Sequence, residues 1–149
     1  MLDKMNLFCK KIVKNIFGNT FIEHNDIENT LIQLLDLNDV LAVSLIDWEN
    51  NIILGTKIEG EFDIDVASKG AINVLKANKK MLKDIDTNSS LEDILMTLPT
   101  QIHFIHVLPK HPELCLYIVL DSHKSNVALM RTKVKLVAEE LSIKYREIK

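Results

Sequence analysis

The sequence predicts an α+β fold, an antiparallel sheet covered by helices on both faces, and two observations carry that prediction. The first is a pair of short apolar runs, residues 40–47 and 52–57, separated by Trp48-Glu49-Asn50-Asn51. Asn tolerates the positive φ that a tight hairpin turn demands, so the runs read as paired antiparallel strands. The second is that the first run is apolar on both alternating faces: Leu41, Val43 and Leu45 on one, Val40, Ala42 and Ile46 on the other. An antiparallel strand with one wet face alternates apolar with polar, so this one lies in a sheet buried on both sides. Helices from elsewhere in the chain must supply the cover.

Residues 2–17 place Leu2, Met5, Cys9, Ile12, Val13 and Ile16 at helical spacing, with Lys4, Lys10, Lys11 and Lys14 between them. This is a basic amphipathic helix stopped by Gly18-Asn19, and residues 1–20 read as an extension ahead of the domain. It suits docking on the parent domain or on a second protomer, and is the one candidate contact with a membrane surface. Asn25 or Asp26 caps the next helix, whose stripe is Ile27, Leu31, Leu34 and Leu35. Beyond the hairpin, Asp63 caps a long helix over 64–83 with Ile64, Ala67, Ala71, Val74, Asn78 and Met81 along one stripe. Gly70 in its middle costs about 1 kcal/mol relative to Ala, which points to close approach of another backbone. Lys76, Lys79, Lys80 and Lys83 crowd the final turns, where the helix dipole favours positive charge.

Ser89-Ser90-Leu91-Glu92 matches a capping box that would open a short helix. Residues 93–98, ended by Pro99, read equally as a strand, which the proline would confine to a sheet edge. Both readings stay open. Two clearer strands follow at 102–108 and 114–120, the latter apolar on both faces as a central strand should be. After a turn at 121–125, Ser125 or Asn126 caps a last helix with the stripe Val127, Met130, Val134, Val137 and Leu141. Residues 25–142 thus form one domain, and 143–149 a basic tail.

Composition bounds the function. Hydrophobic residues at 47% and charged residues at 26% describe a globular protein rather than a disordered one. Residues 1–17 carry four Lys and one Asp, residues 131–149 six Lys or Arg and three Glu, while 18–130 hold eight cations and seventeen carboxylates. An acidic body with basic ends argues against a nucleic-acid binder, which gathers its cations on one face. No apolar run reaches the 18 or so residues of a membrane span, and Cys9 and Cys115 lack metal-ligand spacing, so a cytoplasmic location is expected.

The arrangement over 27–141 resembles the roadblock (dynein light chain) family of bacterial or archaeal type. The matching features are Asp39-Val40-Leu41-Ala42-Val43 entering the first strand, the turn from Asp47 to Asn51 and the Ala-bearing long helix. Asn126-Val127-Ala128-Leu129 opening the last helix completes the match. Asn50-Asn51 stands where the family usually turns on Gly, and the helix at 2–17 is extra to the minimal domain. The resemblance implies a five-stranded antiparallel sheet, with the long helix on one face and two helices on the other, roadblock/profilin-like. It also implies homodimerisation through the long helix and the edge strand after it, and a non-catalytic role as a regulator or scaffold of small Ras-like GTPases. Candidate interface residues are then Ala67, Gly70, Ala71, Val74, Asn78, Ile94, Met96 and Leu98. Candidate partner-binding cations are Lys76, Lys80 and Arg131.

Little in the sequence points to chemistry. His103 and His106, three apart on a strand, face opposite ways and share no metal; His106 between Phe104 and Leu108 reads as a core histidine with satisfied hydrogen bonds. Glu59, Glu61, Asp63 and Asp65 suit the dipole at the start of the long helix. The four glycines form neither a P-loop nor a dinucleotide fingerprint. No catalytic residue, cofactor or metal is assigned. Of the two arginines, Arg131 suits a surface ion pair and Arg146 lies in the tail, so neither is expected to act as an arginine finger. The alternative to a GTPase regulator is a ligand-sensing or structural assembly domain, whose core cavity would be marked by His106 or Tyr117.

Overall fold

Asn51 adopts φ 59°, the left-handed conformation expected of it, and turns strand β2 (Val40–Asp47) into strand β3 (Ile52–Ile58). The buried Asp47 carboxylate braces the turn, accepting from the Asn50 backbone N–H at 3.1 Å and from Asn50 Nδ2 at 2.7 Å. Asp39 at φ 71° makes the sharp change of direction between helix α1 (His24–Leu35) and β2. The protein is described here by a computed structural model covering residues 20–21, 24–123, 126–144 and 146–147. The helix expected at 2–17, with Cys9, lies outside the described residues.

The main sheet is antiparallel with strand order β3-β2-β6-β5-β4, where β4 is Asp93–Thr97, β5 Gln101–Leu108 and β6 His111–Asp121. The doubly apolar β2 pairs with β6 on one side and β3 on the other (Val43 opposite Ile118, Leu45 opposite Leu116), as a strand buried on both faces should. Helix α2 (Ile64–Asp84) connects one edge strand, β3, to the other, β4, across one face. Helices α1 and α3 (Val127–Lys144) cover the opposite face. This is the five-stranded sheet with the long helix on one side and two helices on the other.

Residues 93–97 take the strand reading. Ile94 pairs with Ile105 and Met96 with His103, so the backbone is satisfied on one side and both apolar side chains pack on the α2 layer. The capping-box pattern at 89–92 opens no helix. At the far end, α3 runs through Lys144, and strand β7 (Arg146–Glu147) then pairs antiparallel with strand β1 (Thr20–Phe21). The residues read as a basic tail thus include the last turn of a helix and a short ribbon that leads back to the start of α1.

Two apolar layers sandwich the sheet. Phe104, Leu116 and Ile118 face α1 and α3 through Leu31, Val134 and Leu141, whereas Ile105, Cys115 and Tyr117 face α2. The buried line of α2 is Ile64, Ser68, Ala71, Ile72 and Leu75, offset from the predicted stripe. Ala67, Val74 and Asn78 sit at its margin, and Met81 is 51% exposed. The physical reason is size: Ile72 and Leu75 bury most area and set the rotation, whereas the small residues that suggested the other stripe gain little by burial. Ser68 Oγ donates to Ser44 Oγ at 3.0 Å, so the polar pair buried between helix and sheet is matched.

Gly55 on β3 fits because α1 lies directly above it. A Cβ there would meet Leu31 Cδ1 at 2.9 Å and Ile27 Cγ2 at 3.0 Å. Gly55→Val is therefore expected to push α1 off the sheet and cost about 1–3 kcal/mol, read as a lower urea midpoint.

Candidate interaction surface

Once α2 is seated by Ile72 and Leu75, helical geometry turns Val66, Gly70, Asn73, Ala77 and Met81 away from the sheet. They recur at i, i+4, i+7, i+11 and i+15, a stripe about 22 Å long at 1.5 Å per residue. Val66 is 64% exposed. Gly70 is exposed as well, and a Cβ built on it meets nothing within 4 Å. The close approach expected at Gly70 is therefore not made by any described part of its own chain.

Strand β4 ends the sheet and offers the backbone groups of its outer side to a further strand. Ile94 and Met96 pack on the same apolar layer as Ala67 and Val74, so the helix stripe and the sheet edge adjoin on the α2 side. Of the residues expected at an interface, Gly70 and Leu98 are exposed, and Ala67, Val74, Asn78, Ile94 and Met96 are half-buried. Ala71 is 3% exposed and belongs to the core. Sequence reasoning passed over Val66, Asn73 and Ala77, although an exposed Val in the first turn of a helix already capped by Asp63 was a usable signal.

The three candidate cations do not form one patch. Lys76 and Lys80 lie on α2 and Arg131 on α3, on opposite faces of the sheet. Each is also engaged: Lys76 Nζ donates to Asn51 Oδ1, Lys80 pairs with Asp84, and Arg131 pairs with Asp93 at 3.1 Å beside the Phe104 ring. Lys79 bonds Glu49 at 3.1 Å and lies 5.4 Å from the centroid of Trp48.

Burial sets the state of the titratable groups. The Tyr117 hydroxyl, pushed up to about 12 by burial, donates to His103 Nδ1 at 2.6 Å, while His103 Nε2 donates to Gln101 Oε1 at 3.1 Å. Burial likewise raises the Cys115 thiol, which stays protonated and behaves as a small hydrophobe. His106 corrects an expectation: it is buried, but neither ring nitrogen has a partner among the described residues. Such a group costs about 1–3 kcal/mol. The α2 side holds a cavity of about 440 Å³ at the C-terminal end of the helix, walled by Trp48, Leu75, Asn78, Leu82 and Leu91. Asn78 Oδ1 is buried there without a partner among the described residues. Neither His106 nor Tyr117 reaches this cavity.

His103, His106 and His111 are all held below their ordinary pKa of 6.5, with burial the largest cause in each. The unfolded chain therefore takes up protons that the folded chain resists. Stability is full above pH 6.5 and declines as the pH falls below it. Urea titrations between about pH 7 and 5 should show that decline, and His106→Leu should flatten it by up to about 1.4 kcal/mol per pH unit.

Among the described residues no group of three or more His, Cys, Asp or Glu is placed to hold a metal ion, and no helix is long and apolar enough to cross a membrane. No family model matches the sequence, and no curated protein matches it. Solved structures do match in fold. The gliding protein MglB of Thermus thermophilus superposes with a TM-score of 0.69 at 14% identity, over 81% of this chain and 89% of its own. An MglB with a tetrameric arrangement superposes at 0.67 and 15% identity, over 80% and 87%. A Roadblock/LC7 domain from Streptomyces avermitilis superposes at 0.65 and 8% identity, over 75% and 91%. At such identities the shared feature is the path of the backbone, strand by strand and helix by helix. This chain folds as a roadblock domain.

Proposed function

We propose that this chain is a non-catalytic, homodimeric interaction module of the cytoplasm that regulates or scaffolds a small Ras-like GTPase. The observation that carries the dimer is the outward stripe of α2 lying beside the open edge of β4. About a two-fold axis the same patch meets itself, so two α2 helices pack together and two β4 edges adjoin. Gly70 and Ala77 let the helix backbones approach, and Val66 and Met81 supply apolar contact. Ala67, Val74, Asn78, Ile94, Met96 and Leu98 border the contact. The tetrameric arrangement of a similarly folded MglB supports self-association of this fold.

The GTPase as partner class is supported by the roadblock resemblance. Arg131, tied to Asp93, is not poised as a finger, so any effect on hydrolysis comes from positioning the GTPase's own groups. The dimer offers Lys76 and Lys80 twice, one pair on each α2. Pull-down of Ras-like GTPases from the same host, loaded with GTP or with GDP, tests the partner class. Capture in one nucleotide state is expected, and capture in neither overturns this reading.

The cavity beneath the C-terminal end of α2 favours a second reading, a ligand-sensing assembly domain without a GTPase. Trp48 is the only tryptophan of the chain and lines that cavity. A small-molecule library that leaves its fluorescence unchanged would remove this alternative.

A further inference from the structure

On the α1/α3 side of the sheet, His106 is 2% exposed and both of its ring nitrogens lack partners among the described residues. A neutral imidazole offers one donor and one acceptor, so both capacities are unused. The ring lines a second cavity of about 410 Å³, whose apolar wall is Leu91, Val107, Leu108 and Pro112. Its charged rim is Glu92, Lys135 and Glu139. The volume falls in the range of small-molecule sites, as does the combination of apolar walls with a few polar groups.

The charges around His106 select the ligand. Lys135 reaches Glu92 at 3.8 Å, and Arg131 pairs with Asp93 at 3.1 Å. Glu139 forms no ion pair among the described residues, which leaves one uncompensated carboxylate on the rim. We propose that this cavity binds a small primary amine with an apolar body, its ammonium group donating to the Glu139 carboxylate and to the acceptor nitrogen of His106. An ammonium has three donors and no acceptor, which matches two acceptors at the end of an apolar hollow. Burial keeps His106 below its ordinary pKa, so at neutral pH the imidazole is uncharged and able to accept. A carboxylate ligand would meet Glu139 as a like charge. A neutral alcohol would forgo the charge-assisted bond.

The test uses the full chain and phenethylamine as the probe, with 2-phenylethanol and phenylacetate as neutral and anionic counterparts. The imidazole nitrogens of His106 are followed by NMR and assigned by their loss in His106→Asn. Phenethylamine is expected to shift them saturably with a Kd of about 1 mM or tighter, and the two counterparts to bind at least about tenfold more weakly. Glu139→Gln changes an exposed residue, so it keeps the fold, and it should weaken the amine by about tenfold or more. Absence of a saturable shift, equal shifts from all three probes, or unchanged affinity in Glu139→Gln would each overturn the proposal.

Discussion

Val43→Asp unfolds the domain. Val43 is fully buried on the β strand that the rest of the sheet is built around, packed in the layer beneath α1 and α3. Its neighbours there are aliphatic and aromatic, with no cation among them to pair with a carboxylate. An ionised Asp in such a place faces a large desolvation penalty, and even a neutral one keeps a polar group without partners. The loss should exceed about 4 kcal/mol, against a total stability of about 5–15 kcal/mol for a domain of this kind. Circular dichroism and one-dimensional NMR of the purified variant at neutral pH should report an unfolded or aggregated chain. A folded Val43→Asp protein would mean that the sheet is not sandwiched as described.

Gly70→Glu splits the dimer and leaves the monomer folded. Gly70 lies mid-helix on the outward stripe of α2, and a side chain there meets nothing within 4 Å in its own chain. In the isolated protomer the substitution should therefore stabilise α2 by about 0.5–1 kcal/mol, because Gly is a poor helix former. In the proposed dimer the same Glu lies close to the two-fold axis and opposes its own copy across a small-residue contact. Steric overlap and like charge together should cost at least about 3 kcal/mol of association, a weakening of a hundredfold or more. Light scattering gives the mass and thermal melting the protomer stability. An undisturbed dimer would place the interface elsewhere on the surface.

Much of the fold was legible because burial on both faces leaves a strong mark. The runs at 40–47 and 114–120 are apolar throughout, and they are the two adjacent central strands. Asn50-Asn51 signalled the hairpin through the conformation that Asn51 takes. The rotation of α2 was not legible, since Ala67, Gly70 and Ala71 give the apolar period no direction until the sheet selects Ile72 and Leu75. Residues 93–97 were ambiguous for a related reason: an edge strand is half-buried, and Leu91 and Glu92 also suit a helix start. His106 was placed in the core by its apolar flanks, but whether a buried imidazole finds partners depends on α3, far along the chain. The three cations grouped by resemblance fell on two faces, because sequence position alone does not say which layer a helix joins.

Self-association through α2 and β4 is the central claim, and the most direct measurement of it is the molar mass of the chain in solution at micromolar concentration. Size-exclusion chromatography with light scattering should give about twice the 17.0 kDa protomer mass, or a multiple of that dimer. Gly70→Glu run beside it should elute at the mass of a single protomer. A wild-type chain that is strictly monomeric throughout the micromolar range would contradict the central claim.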